Sequence, residues 1–196
     1  MKHRRVFITG MGIISPLGHG VAQHVDLLKK NRSGIKPISL FATSPGNSFP
    51  AGEIPDFTQT LNVPRTHELA LLAAQEALSG TAAAPDSIIL GTTTGGMPLT
   101  EELLKKNEKD AGQYLHHSTS SVTEFLADVL GCKGLILTIT TACSSGSGAA
   151  SPKNCGSTCG SLSSLPVVKM TARGLSVSDG YGTGVYCHGL WHRPGR

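Results

Sequence analysis

Cys143 closes the run Gly134-Leu-Ile-Leu-Thr-Ile-Thr-Thr-Ala-Cys143 and is followed by Ser-Ser-Gly-Ser-Gly148. A β-branched, alternating segment leading into small hydroxyl-bearing residues predicts a strand, a sharp turn and the start of a helix, with a thiol at the corner. A thiol at a helix N-terminus faces unpaired backbone N–H groups and the positive end of the helix dipole, and both favour the thiolate. The same N–H groups can hold the oxyanion formed during acyl transfer. The chemistry expected of Cys143 is therefore covalent catalysis through sulfur. A cysteine can also be a small buried apolar filler. What sets Cys143 apart is its place at a strand-to-helix corner.

The other residues able to do chemistry offer less. Gly10-x-Gly12 follows an apolar run, but the third glycine of a dinucleotide fingerprint falls on Ser15, with Pro16 next, so the match is weak. Thr92 to Gly96 is a small-residue loop without the lysine of a phosphate-binding loop, and it reads as a tight turn close to another backbone. His116 and His117 precede a helix and are expected in solvent. His24 and His67 fall on helices, where surface or boundary packing is expected. Cys155, Cys159, Cys187, His188 and His192 depart from the usual C-x-x-C spacing of zinc ligands, and no metal is expected.

The elements that must position Cys143 follow from periodicity and punctuation. A strand is expected over 5–9, then a glycine turn, with Ser15-Pro16 as helix cap and first helical residue. Val21, Val25 and Leu28 recur at helical spacing before Gly34. Residues 31–64, rich in Pro, Gly and Ser, read as an excursion with short strands. Pro64-Arg65-Thr66 opens a helix with Leu69, Leu72, Ala73, Glu76 and Ala77 on one side, closed by Gly80. A buried strand follows over 87–91, and a charged helix over 100–109. Ser121-Val-Thr-Glu124 reads as a capping box. The helix it opens buries Val122, Phe125, Leu126, Val129 and Leu130 and ends at Gly131. The strand 135–140 then leads to Cys143. This order predicts an α/β fold with parallel strands flanked by helices.

Thr140-Thr-Ala-Cys-Ser-Ser-Gly146 resembles the nucleophile motif of the β-ketoacyl-acyl-carrier-protein synthases, condensing enzymes of fatty acid and polyketide synthesis. Arg5-Val-Phe-Ile-Thr-Gly-Met-Gly-Ile-Ile-Ser-Pro-Leu-Gly18 is similar to the family's opening strand and turn. Ser33-Gly-Ile35, Ala51-Gly-Glu-Ile54 and Asp56-Phe57 resemble its short signatures, and Leu90-Gly-Thr-Thr-Thr-Gly-Gly-Met97 with Glu101-Glu102 resembles its second strand and glycine loop. The resemblance implies the thiolase-like fold, here a partial N-terminal half. It implies that Cys143 takes an acyl group from an acyl carrier protein before decarboxylative condensation with a malonyl-carrier donor. It also implies that Gly95, Gly96 and Met97 lie near the acyl pocket or the subunit interface, that no cofactor is needed, and that subunits pair as a homodimer or heterodimer. Decarboxylation in the family needs two further polar residues, usually histidines, and a supporting lysine. All come from a second half whose motifs are absent, and His188 and His192 lie in no such motif. The alternative is a truncated, catalytically inactive fragment or partner subunit. A stand-alone cysteine hydrolase ranks last, because no motif supplies its base.

Composition sets the outer bounds. The chain has 196 residues, 39% of them hydrophobic, enough for one domain or a large piece of one. No apolar run approaches membrane-helix length. The start, Met1-Lys-His-Arg-Arg-Val-Phe-Ile, is interrupted by Gly10, Gly12 and Pro16 and reads as a strand and turn rather than a signal peptide. With five cysteines and no export signal, a reduced cytoplasmic protein is expected. Residues 1–150 carry 12 Lys/Arg against 12 Asp/Glu, and residues 151–196 carry 5 against 1. The body is thus neutral, which argues against nucleic-acid binding. From Ser151 the sequence changes character: Pro152 and a Gly/Ser/Cys run replace the long amphipathic helix of the family. Residues 1–150 are expected to form an incomplete synthase N-terminal domain. Residues 151–196 are expected to be a divergent tail, frameshifted or disordered.

Overall fold

The computed structural model describes residues 8–40, 43, 48–54, 56–141, 144–149, 170–172 and 183–185. Its centre is a parallel pair, β5 (Ile88–Gly91) and β6 (Ile136–Ile139), with Ile88 opposite Ile136 and Gly91 opposite Ile139. All four residues of β5 are buried, as its continuous apolar sequence requires of a strand covered on both faces. The pleat divides them. Ile88 and Leu90 point into the main core with α2 (Arg65–Leu78) and α4 (Ser121–Leu130). Ile89 points the other way, toward Ala149 of the short α5 (Ser145–Ala149), with Leu137 and Ile139 beside it. The result is three layers, two long helices on one face of the ladder and α5 on the other.

Helix α4 matches the sequence pattern. Val122 and Leu126 are fully buried, and the chain stops at Gly131, whose φ of 69° is the left-handed conformation that glycine takes without strain. The expected capping box does not form: Ser121 is the first helical residue, and its hydroxyl bonds the His116 and Ser118 carbonyls instead. Val129, placed on the buried side by the sequence, is exposed. Helix α2 buries Leu69, Ala70, Leu71, Ala73, Ala74 and Ala77, so small residues line the side on which other chain segments lie close. At Gly10 and Gly12 a Cβ would collide with the Ala77 and Ala73 carbonyls. That close approach accounts for the Gly-x-Gly pair without any nucleotide. Helix α3 (Met97–Lys105) starts three residues before the expected 100 and ends before the expected 109, with proline in its first turn. The excursion carries the short antiparallel pair β3 (Lys36–Pro37) and β4 (Pro50–Ala51). Its far end is tied to α2 by Glu68, whose carboxylate accepts from the Thr60 hydroxyl and the Thr60 and Leu61 N–H groups. Burial would raise the Glu68 pKa, but these donors, with Arg65, hold it below the ordinary value.

The opening of the chain departs from expectation. Residues 5–7 lie outside the described residues, and Ile8 and Thr9 belong to no strand. Ser15-Pro16 does not start a helix. Instead, β1 (Ile14–Ser15) pairs with β2 (Gly18–His19) in a hairpin, and α1 (Val21–Lys29) begins after Gly20. Helix α1 is also rotated from its sequence pattern, with Val21 half-buried. Val25 and Leu28 are 44% and 61% exposed, while His24 is 4% exposed. The cause is hydrogen bonding: His24 Nδ1 donates to the Gly20 carbonyl at 2.7 Å and Nε2 accepts from the Ser15 hydroxyl at 2.6 Å. Two satisfied ring nitrogens make the histidine side the inward one. Residues 151–196 lie outside the described residues except for β7 (Met170–Ala172) and β8 (Thr183–Val185), an antiparallel pair the sequence did not suggest. β7 lies against β1 and α2, and β8 against β5 and α5.

Glu76 joins these parts, accepting from Ile13 N at 2.9 Å and Val21 N at 2.7 Å. Glu76→Ala strands both N–H groups and should lower unfolding stability by about 2 kcal/mol. Glu76→Gln, which keeps one acceptor oxygen, should lose less. Urea unfolding of the three proteins, compared at equal m, checks the order.

Candidate active site

The corner that should carry the nucleophile is built from both ends. Strand β6 ends at Ile139, whose carbonyl accepts from Thr92 N at 3.1 Å and so carries the parallel ladder one residue past β5. Beyond it, Thr141 and Ser144 are joined directly: Ser144 N donates to the Thr141 carbonyl at 3.1 Å, and the Ser144 hydroxyl reaches the same carbonyl at 2.8 Å. The buried Ser145 hydroxyl accepts from Thr141 N at 2.8 Å. Ala142 and Cys143, between these partners in sequence, lie outside the described residues. Helix α5 presses onto the end of β5. At Gly91 a Cβ would collide with the backbone of Ser145 and Gly146. The strand-to-helix change expected around Cys143 is therefore present in its flanks, and Gly91 supplies the space for it. Cys132 is half-buried, and its sulfur is a free thiol.

The second element is the loop from Thr92 to Gly96, which leads into α3. Thr92 is fully buried, and its hydroxyl accepts from Gly95 N at 3.3 Å. Gly95 has φ +54°, and a Cβ there would lie 2.7 Å from Thr119 Cα and 3.0 Å from the Ser118 carbonyl. At Gly96 a Cβ would collide with the His116 carbonyl. The expected tight turn against another backbone is what forms, and the backbone is the 116–120 segment. Gly95 and Gly96 are thus brought onto that segment, and Met97, the first residue of α3, is 48% exposed.

Sequence reasoning missed the histidine beneath this segment. His67 was expected at a surface or boundary but is fully buried between α2 and α4. Its Nε2 lies 3.0 Å from the Ser121 hydroxyl, and its ring meets His116 and Phe125 edge-on at centroid distances of 4.9 and 5.5 Å. His116 is correspondingly half-buried rather than solvated. The signal was available: His67, Leu71 and Ala74 share one helical face, at the spacing of a buried stripe. Burial, then the neighbouring His116, push the His67 pKa down from 6.5 to about 4, with the contact to Ser121 opposing. The ring is neutral near pH 7.

Comparison with known proteins fits this architecture. The profile of the family described as Beta-ketoacyl synthase, N-terminal domain, matches residues 3–152. The chain belongs to the beta-ketoacyl synthase family. The 3-oxoacyl-[acyl-carrier-protein] synthase 2 of Coxiella burnetii is 34% identical to this chain over 120 residues, covering 52% of the chain and 28% of the relative. The tetracenomycin polyketide synthase ketoacyl synthase alpha subunit of Streptomyces glaucescens is 29% identical over 174 residues, covering 73% and 40%. Among solved structures, the ishigamide ketosynthase/chain length factor superposes with a TM-score of 0.70 at 23% identity, covering 95% of the chain and 58% of that structure. This likeness establishes the ketosynthase fold, the thiolase-like architecture expected from sequence. The chain spans 28% and 40% of the length of these two relatives.

The His67 environment has a pH signature. The folded-state pKa lies below that of an unfolded histidine, so the unfolded chain binds the proton more readily between pH 6.5 and about 4. Stability from the neutral ring should be complete above pH 6.5 and fall as pH drops toward 4, by about 3 kcal/mol in all. The low-pKa carboxylate of Glu68 acts lower, below its ordinary 4.5. Urea unfolding between pH 7.5 and 4.5 should therefore show a slope in the natural chain that His67→Leu flattens.

Proposed function

We propose that this chain is the nucleophile-bearing N-terminal portion of a β-ketoacyl-acyl-carrier-protein synthase, with Cys143 as the acyl-accepting thiol. The observation that carries the reading is the corner itself. A parallel strand enters it, a helix leaves it, and Thr141 is hydrogen-bonded to Ser144 and Ser145, which flank Cys143 in sequence. In the proposed step the Cys143 thiolate attacks the thioester carbonyl of an acyl-carrier protein, the tetrahedral oxyanion collapses, and the carrier thiol leaves with a proton. Condensation then requires a malonyl-carrier donor to lose carbon dioxide, after which its carbanion displaces Cys143 from the acyl group. The histidines and lysine for that second step belong to the part of the enzyme whose motifs this sequence lacks. Residues 1–150 are accordingly assigned to an incomplete synthase N-terminal domain and 151–196 to a divergent tail.

Gly95, Gly96 and Met97 are assigned to the border of the acyl pocket or of a subunit interface. Their support is the loop's position after β5, whose end is packed by α5, and the exposure of Met97. The working partners are an acyl carrier protein and a second ketosynthase subunit, identical or different, in the reducing cytoplasm that keeps such a thiol active. No cofactor enters the proposed chemistry. None of the helices among the described residues is long and apolar enough to cross a membrane. The second reading is an inactive fragment or partner subunit.

Mass spectrometry separates the two. Incubated with an acyl-carrier protein or a cerulenin-like probe, the full chain should gain one acyl or probe mass, mapped to the Cys143 peptide and lost in Cys143→Ala. Equal labelling at Cys132 and Cys143, or none, would leave the inactive-fragment reading standing.

A further inference from the structure

We propose that His67 is a positioning residue for the glycine loop: through Ser121 it holds the 116–121 turn in the place where that turn seats Gly95 and Gly96. The inference rests on the reading above that this loop borders the acyl pocket, and it adds a residue on another helix that sets the loop's shape.

The hydrogen bonds decide the direction of the linkage. The Ser121 hydroxyl has one proton, and two carbonyls lie within its reach, His116 at 3.0 Å and Ser118 at 2.7 Å. With that proton committed to backbone oxygen, the hydroxyl can only accept from His67, so His67 Nε2 carries the hydrogen and donates across 3.0 Å. The ring cannot easily turn away, because His116 and Phe125 meet it edge-on at interplanar angles of 73° and 62°. The two carbonyls held by Ser121 are also the ones that bear on the loop. The His116 carbonyl occupies the space of a Gly96 side chain, and the Ser118 carbonyl and Thr119 Cα occupy that of Gly95. One hydroxyl therefore fixes, from behind, the surface on which both glycines rest.

The remaining nitrogen sharpens the point. His67 Nδ1 is buried without a hydrogen-bond partner among the described residues, an unfavourable arrangement that an apolar side chain would avoid. Among the described residues, the one hydrogen bond the ring makes is the contact of Nε2 with the Ser121 hydroxyl. What the histidine supplies that leucine cannot is the Nε2 donor to Ser121.

The test is amide hydrogen exchange, read by mass spectrometry on the full chain and on His67→Leu, His67→Gln and Ser121→Ala. The informative amides are Gly95 N, bonded to Thr92 Oγ1, and Met97 N, bonded to the Thr94 carbonyl. Both should exchange about tenfold faster in His67→Leu and Ser121→Ala, an opening equivalent to one lost hydrogen bond, while amides of α1 keep their rates. Glutamine, whose amide nitrogen reaches about as far as Nε2, should restore them to within about twofold. Ser121→Ala guards against misfolding of the His67 variant, since alanine suits a first-turn helical position. Where Cys143 is acylated, the same two variants should raise the half-saturating acyl-thioester concentration and leave the plateau rate unchanged. Unchanged Gly95 and Met97 exchange in both variants, or equal acceleration across all helices, would overturn the proposal. Absence of acylation in the natural chain would reject the functional reading, and the exchange rates would still decide the role of His67.

Discussion

The parallel ladder between Ile88–Gly91 and Ile136–Ile139 is the constraint from which the rest of the structure follows. It fixes where β6 ends and where the following corner must sit. It turns Ile88 and Leu90 toward two helices and Ile89 toward a third. It also brings the loops after both strands to one end, the usual place for chemistry in an open α/β sheet. Two parallel strands cannot be joined by a tight turn. The intervening residues, with α3, the 116–120 segment and α4, are therefore obligatory, and they supply the backbone against which the glycine loop closes.

Where the sequence was legible, one physical rule dominated. Strands β5 and β6, the buried side of α4 apart from the exposed Val129, and its stop at Gly131 follow from apolar periodicity and backbone conformation alone. The same holds for the small-residue loop, because a Gly-Gly pair after a buried strand implies close backbone approach. Where two rules competed, sequence reading chose the wrong one. Val21, Val25 and Leu28 looked like an inward stripe, but Ser15 and the Gly20 carbonyl satisfy both nitrogens of His24 and rotate the inward face toward it, leaving Val25 and Leu28 exposed. Ser121 looked like a helix cap, yet its hydroxyl serves His67 and two carbonyls. Long-range partners of this kind leave no periodic mark.

The Cys143 assignment divides similarly. Its chemistry was read from residue types and from resemblance to a family, and the family is established by the match over residues 3–152. The structure adds the closed flanks at Thr141, Ser144 and Ser145 and the glycine that makes room for α5. The supporting histidine at position 67 belongs to neither source. It emerges only when α2 and α4 are packed together.

The ladder's two faces are unequal, and this has a consequence for motion. Two helices of 14 and 10 residues insulate one face, and among the described residues a helix of 5 covers the other. The corner belongs to the thinner side. Its local opening exposes Ile89, Leu137, Ile139 and Ala149 but leaves the larger apolar cluster intact. The end of the sheet at this corner rests on the smaller apolar cluster and is expected to open more readily than the core beneath it. Opening at this corner and global unfolding are then expected to be separable events with different temperature dependence.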